Sequence, residues 1–104
     1  MSILYVLYKS PLTHRVPLKA LDIIEKQVDR GYKVNVLLLS DAVIALVSKS
    51  LKPRLKVLRS RGSIIYALKE DLEARGITSD IATPVSYSEV VDLIEAHEKV
   101  SSWS

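Results

Sequence analysis

Four side chains that could take part in chemistry follow the first two strand-like runs of the sequence. Ser10, Thr13 and His14 come after the first run, and Asp41 comes after the second. Ligand sites in open α/β sheets lie outside the carboxyl ends of the strands, so these residues form a candidate loop site for a small ligand or a partner. Ser10 or Thr13 could also serve as a nucleophile with His14 as its base, but neighbours in sequence seldom reach the geometry of a triad. We therefore assign no catalytic residue, and we favour an exposed loop histidine as the simpler interpretation of His14.

The absence of cysteine and the positions of the glycines exclude several kinds of functional site. The chain contains no cysteine, which excludes disulfides, thiolate metal sites, thiol nucleophiles and persulfide carriage. Its two histidines, His14 and His97, are far apart in sequence, and we predict no metal and no cofactor. Gly31, Gly62 and Gly76 each follow a predicted helix rather than open one. A phosphate-binding loop of the dinucleotide or ATP type is therefore disfavoured.

Alternating hydrophobic periodicities predict strands that alternate with helices. The predicted strands cover residues 3–8, 34–39 and 63–68, with a weaker one at 79–82. The predicted helices cover residues 16–30, 42–47, 53–60 and 70–75, and a last helix opens with the capping box of Ser86 and Glu89. This pattern predicts an α/β fold, a three-layer α/β/α arrangement around a mostly parallel, four- to five-stranded Rossmann-like open sheet. We expect residues 1–104 to form one domain.

Apolar residues without an evident place in the core predict association with another chain. The segment 42–47 is almost wholly apolar, and we expect Ser40 and Asp41 to cap it. Such a helix must be buried or lie in an interface. Trp103 stands one residue from the end of the sequence, and docking against the body or a partner would explain it. On the last helix, we expect His97 to lie on the packing stripe.

Basic residues are concentrated between the second and third strands. Lys52, Lys56 and Arg59 are spaced to form a stripe on one helix, in a region without acidic residues. A solvated helix face explains this spacing better than RNA binding, because no aromatic residues for base stacking lie among the charges. Direct nucleic-acid binding is therefore disfavoured.

Targeting features and composition give two expectations about location. The first strand follows the start without a basic leader or cleavage site, and the longest apolar runs are much shorter than a membrane span. We expect a cytoplasmic protein that does not enter a membrane. Gln, Asn and Met are scarce while Lys, Arg, Glu and Ile are plentiful, a bias typical of thermophile proteins.

Several segments resemble the TusB/DsrH family over almost the whole chain. They are Lys9-Ser10-Pro11, Leu38-Leu39-Ser40-Asp41-Ala42-Val43, the block from Tyr66 to Gly76 with Ala67-Leu68-Lys69-Glu70-Asp71-Leu72, and a closing helix with Tyr87, Val90, Val91, Leu93 and His97 before Trp103. The resemblance implies a subunit of the DsrE/DsrF/DsrH-like superfamily that assembles with DsrE/TusD-like and DsrF/TusC-like subunits. Such hetero-oligomers pass persulfide sulfur toward the 2-thiouridine of tRNA wobble positions or serve dissimilatory sulfur oxidation.

Two positions depart from the family pattern. Ala20 stands near the place where some members carry a cysteine, and Ala42 follows the aspartate where a glycine is usual. Without a thiolate the chain has no persulfide chemistry of its own, so the resemblance implies a non-catalytic subunit that positions its partners. The alternative is a self-associating α/β domain that binds a small ligand. The candidate loop and interface residues are Ser10, Pro11, Thr13, His14, Asp41, Asp71, Arg75 and Trp103.

Overall fold

The computed structural model describes residues 1–104 and contains one sheet of five parallel strands. The strands are β1 (Ser2–Leu7), β2 (Lys33–Leu38), β3 (Ile65–Leu68), β4 (Ala82–Val85) and β5 (Lys99–Trp103). The helices are α1 (Val16–Asp29), a 3-10 helix (Ser40–Val47), α2 (Lys52–Ser60), α3 (Lys69–Ala74) and α4 (Tyr87–Ala96). The strand order is β4-β3-β2-β1-β5. The predicted α/β class and parallel open sheet are confirmed.

The strand order explains why the helices are distributed unequally over the two faces. From β1 to β4 the chain steps along the sheet in one direction, and from β4 to β5 it returns across the whole sheet. Because parallel crossovers are right-handed, the first three connections lie on one face and α4 lies on the other. The two buried clusters agree with this assignment, since α1, the 3-10 helix and α2 share one cluster and α4 packs on the other.

The face covered by α1, the 3-10 helix and α2 holds the larger core. Leu21 and Ile24 of α1 and Leu55 and Leu58 of α2 are all almost fully buried there. The apolar segment 42–47 is part of this core, because four of its six residues are buried. Its hydrophobicity is therefore satisfied within the chain and does not require a partner.

The opposite face is covered by α4 alone. Leu4, Val6 and Leu37 form a small cluster there, against which Val90 and Leu93 of α4 pack. No residue of α4 is fully buried. The centre of this face is nevertheless buried, while Ile64 and Val100 nearer its margins stay more than one-third exposed.

Two strand predictions were incomplete. The fourth strand begins at Ala82 rather than covering residues 79–82, because the Ser79 hydroxyl accepts hydrogen bonds from the N–H groups of Ile81 and Ala82 and forms a turn. The terminal strand β5 was not predicted and pairs with β1 from Lys99 to Trp103. The chain end is thus held in the sheet.

The start of the 3-10 helix also differs from the prediction. Neither Ser40 nor Asp41 caps it through a side chain, and Leu39 precedes it in an extended conformation. Ser40 instead takes a left-handed backbone conformation with φ of 53°. This conformation turns the chain sharply out of β2.

The longest helix, α1, has 14 residues. No helix in the structure combines the length and the apolar character that crossing a membrane requires.

Candidate functional site

The predicted site residues lie toward the carboxyl edge of the sheet. In the sheet register Leu7 pairs with both Leu38 and Trp103, and Leu38 pairs with Ala67. The loop after β1, the turn after β2, the start of α3 and the end of β5 therefore meet along one edge. This is the edge where ligands of open α/β sheets bind.

An ion-pair network joins the turn after β2 to α3. The guanidinium of Arg75 contacts Asp41 Oδ1 at 2.8 Å and Asp71 Oδ1 at 3.6 Å. Because Asp71 and Arg75 are four residues apart on a helical segment, they lie on the same side of α3. Three of the predicted site residues are thus brought together, and they connect two elements that are distant in sequence.

The same network supports the left-handed residue Ser40. Its N–H donates a hydrogen bond of 2.6 Å to Asp71 Oδ2. A left-handed conformation costs an L-residue about 1–2 kcal/mol, so it persists only where neighbouring contacts hold it. Asp71 therefore fixes the turn after β2 while it orients Arg75. This role of Ser40 was not predicted from the sequence, although its position directly after a buried strand marks a turn.

The loop that follows β1 is organised by its own hydrogen bonds. The buried Ser10 hydroxyl accepts from the N–H of Leu12 at 3.1 Å, and the N–H of His14 donates to the Ser10 carbonyl at 3.1 Å. Thr13 Oγ1 lies 2.8 Å from His14 Nδ1 in an exposed pair. Ser10 and His14 share no side-chain hydrogen bond, whereas Thr13 and His14 do. No third side chain hydrogen-bonds to the His14 imidazole, so the exposed pair lacks the orienting group of a catalytic triad. Pro11 belongs to this loop but makes no polar contact.

No hydrogen bond or ion pair connects this loop with Asp41, Asp71 or Arg75. The loop also lacks a cavity, because none of the three surface cavities is lined by any of the eight predicted site residues. The largest has a volume of about 450 Å³ and is bordered by Lys56, Arg59, Ser60, Asp80 and Ile81. No group of three or more His, Asp and Glu side chains is placed to hold a metal ion.

Trp103 docks against the body of its own chain. The indole packs against the larger core, and its Nε1–H donates to Ser101 Oγ at 3.1 Å. Its side chain is only partly buried. Docking against the body of the same chain, one of the two alternatives predicted for Trp103, is thus present in the structure.

A buried polar network that was not predicted from the sequence joins β2 to the end of α4. Asn35 in β2 is only 4% exposed; its Nδ2 lies 2.8 Å from His97 Nε2, and its Oδ1 accepts from the Ile64 N–H at 2.9 Å. His97 Nδ1 lies 2.7 Å from the carbonyl oxygen of Leu93. The only consistent assignment has Nδ1–H donating to Leu93 and Nε2 accepting from Asn35. His97 thus does not lie on the packing stripe of α4 as predicted, because it follows the helix in an extended conformation and is held by hydrogen bonds. The one asparagine in an apolar strand was the available signal.

The fold and the composition of its loops define the structural class of the protein. The protein is a small parallel α/β protein whose loops carry neither a phosphate-binding glycine motif nor a thiol. At the fold level it is similar to the ychN protein from E. coli, with a TM-score of 0.89, 17% identity and 98% of each chain covered. It is also similar to a conserved protein of unknown function from Bacteroides thetaiotaomicron, with a TM-score of 0.77, 18% identity and coverage of 96% of this chain and 93% of that one. At these identities the likeness establishes the fold alone.

The sequence comparisons establish the family. Residues 9–100 match the family described as DsrH like protein. Protein TusB of Yersinia pestis (strain Pestoides F) is 38% identical over 72 residues, which cover 66% of this chain and 74% of that protein. Protein TusB of Yersinia pseudotuberculosis serotype O:1b (strain IP 31758) matches with the same values. The chain belongs to the TusB/DsrH family.

Proposed function

We propose that this chain is a non-catalytic subunit of a sulfur-relay complex, in which it positions partner subunits that carry persulfide sulfur. The observation that carries the proposal is the combination of membership in the TusB/DsrH family with a sequence that has no cysteine. The family serves sulfur transfer, but this member has no thiol that could carry sulfur. Both facts are explained if the cysteines that carry the sulfur belong to other chains of the complex.

The chemistry of persulfide transfer supports this division of roles. A persulfide passes on when a thiolate of the acceptor attacks the outer sulfur of the donor, and the donor leaves as a thiolate. Both steps need cysteine thiolates. Ala20, near the position where some relatives carry a cysteine, is fully buried against the larger core. The chain can therefore hold the donor and the acceptor in register, but it cannot be either of them.

The partners proposed for the complex are DsrE/TusD-like and DsrF/TusC-like subunits. The matching relatives are TusB proteins, so tRNA thiolation at the wobble uridine is preferred over dissimilatory sulfur oxidation as the end of the relay. In this role we expect the chain to act in the cytoplasm. We also expect it to form a single domain. Sulfur would reach the tRNA through the partners, which agrees with the lack of aromatic residues among the basic side chains of α2.

The carboxyl edge of the sheet is the part of the candidate site that we propose for partner contact. Asp41 is well exposed while Arg75, which holds it, is three-quarters buried. An exposed carboxylate in a fixed position suits an interface better than a mobile one, because less side-chain entropy is lost on binding. The loop with Ser10, Pro11, Thr13 and His14 borders this edge, and its histidine is exposed.

Co-purification from defined components tests the proposal. The tagged chain would be produced together with cysteine-bearing DsrE-like and DsrF-like subunits from the same genome, and the persulfide content of the recovered proteins would be read by alkylation and mass spectrometry. We expect a stable complex in which the partner cysteines alone carry extra sulfur. Recovery of this chain only as a monomer or a homo-oligomer would overturn the proposal and favour the self-associating alternative. A matched control is the same purification with the partner cysteines replaced by serine, in which assembly persists and sulfur is absent.

A further inference from the structure

The formal charge of the chain is divided unequally between α4 and the rest of the molecule. Residues 87–98 contain the four acidic residues Glu89, Asp92, Glu95 and Glu98 and no Lys or Arg. The whole chain has 15 Lys and Arg against 12 Asp and Glu. Removing the four acids of this segment from that total leaves a charge of +7 elsewhere, against −4 on the segment. The net charge of +3 therefore conceals an acidic face on an otherwise basic protein.

Three large apolar side chains form an exposed ridge along the same helix. Tyr87, Val91 and Ile94 are spaced i, i+4 and i+7, and their exposed fractions are 65%, 54% and 45%. They do not pack against the sheet, because Val90 and Leu93 fill that position. The ridge thus has no role within the chain itself.

The open part of the sheet adds apolar surface on the same side. Val100 pairs with Leu4, whose side chain belongs to the cluster under α4, so Val100 points to that side. Ile64 precedes Ile65, which points into the larger core, so Ile64 also faces the α4 side. Both are more than one-third exposed. The apolar ridge therefore belongs to a face of the molecule that remains incompletely covered.

The acids of α4 differ from those of α1 in their pairing. On the other face, Asp22 and Glu25 both bind Arg54 at 2.7 Å, and Asp29 binds Arg61 at 2.6 Å. Glu89, Asp92 and Glu95 of α4 form no ion pair with a basic side chain, whereas Glu98, just after the helix, lies 4.0 Å from the N-terminal ammonium of Met1. Unpaired like charges beside an exposed apolar ridge are the arrangement expected of a surface that receives a cationic partner.

We infer that the ridge formed by Tyr87, Val91 and Ile94 is a docking surface for a different chain, whose contact area is apolar at its centre and rimmed by Lys and Arg. Symmetric pairing of two copies through α4 would bring −3 against −3, so charge opposes a second copy as the occupant. The inference rests on the proposed function, since the occupant is a cysteine-bearing subunit of the relay complex. It adds the surface on which that subunit binds and the charge that the subunit carries there.

Two matched substitutions test the surface. Val91→Arg places a positive charge in the ridge, whereas Val57→Arg makes the same change on α2, where the exposed fraction is 56% against 54% for Val91. Affinity for the purified DsrE-like and DsrF-like subunits would be measured by calorimetry. We expect Val91→Arg to weaken binding of one subunit by at least about ten-fold and Val57→Arg to change it by less than about two-fold. Circular dichroism checks that both variants fold.

Charge reversal tests the chemistry of the rim. Glu95→Lys lies next to the ridge but does not remove apolar area, and we expect it to slow association by about ten-fold at low salt and by much less at high salt. The outcomes separate the inference from the proposed function. If the unmodified chain binds neither subunit, the proposed function fails. If the unmodified chain binds and Val91→Arg binds equally well, only the docking surface is refuted. A homodimer that Val91→Arg dissociates would show that the occupant is a second copy, which also refutes the inference.

Discussion

Replacing His97 with alanine removes the acceptor that Asn35 uses in the interior of the protein. The Asn35 amide cannot turn over to find another partner, because its Oδ1 is held by the N–H of Ile64 at 2.9 Å. The amide Nδ2, 2.8 Å from His97 Nε2 in the native protein, would then lose its hydrogen bond in a side chain that is 4% exposed. The substitution therefore leaves a buried donor unsatisfied rather than simply deleting a surface contact.

The expected loss of stability follows from that geometry. An unsatisfied buried donor costs about 1–3 kcal/mol, and we expect a loss near the middle of that range, about 2 kcal/mol. For a domain of roughly 100 residues each kcal/mol lowers the melting temperature by about 4 °C or more, so the decrease should reach about 8 °C. The loss should fall on α4 and β5, which His97 joins to β2.

Urea and thermal unfolding, followed by circular dichroism, would measure the effect. His14→Ala is the matched control, because His14 is exposed and hydrogen-bonds only to its neighbour Thr13; its change should stay within about 0.5 kcal/mol. A loss below about 0.5 kcal/mol for His97→Ala would contradict this prediction, since it would mean that the Asn35 amide finds another partner or reaches water.

Three further predictions concern stability. Ser40→Gly should stabilise the protein by about 0.5 kcal/mol, because glycine accepts the left-handed conformation and loses only part of this gain to unfolded-state entropy; a lower urea midpoint would contradict it. Ser86→Ala should lower stability by about 1 kcal/mol in the same assay, since it removes the side-chain acceptor at the start of α4, and an unchanged midpoint would count against the capping role. Burial raises the pKa of Tyr5 above its usual value of 10.0, and Gln27 opposes this in part. The stabilisation that the protonated Tyr5 side chain contributes should be complete below about pH 10 and lost as the pH rises through the folded pKa. The Tyr5→Phe variant should therefore lose less stability over that pH range than the unmodified protein.

The sequence was informative wherever a strand is buried on both faces. The apolar runs of β1 and β2 predict central parallel strands, and the leucines of α2 predict its packing side. The two edge strands, β4 and β5, were harder to predict from the sequence. Pro84 in β4 weakens a strand prediction, yet proline is tolerated at a sheet edge where its missing N–H would face solvent. The two serines of β5 likewise weaken the prediction of a strand there.

The candidate site was predictable only where its residues are near in sequence. The pair Asp71 and Arg75 follows from helical spacing, whereas the contact between Asp41 and Arg75 spans 34 residues and depends on how β2 and α3 meet. Asn35 and His97 are 62 residues apart. Whether the exposed loop residues and Trp103 contact a partner stays a prediction, as does the thermophilic origin that the composition suggests.

The role of this chain as a positioning subunit is best tested by the rate at which labelled persulfide sulfur passes between the purified DsrE-like and DsrF-like subunits, measured with and without this chain. We predict that the chain accelerates transfer without ever becoming labelled, and that pretreating it with a thiol-alkylating reagent changes nothing. A transfer rate that is independent of this chain, or label found covalently bound to it, would contradict a positioning role.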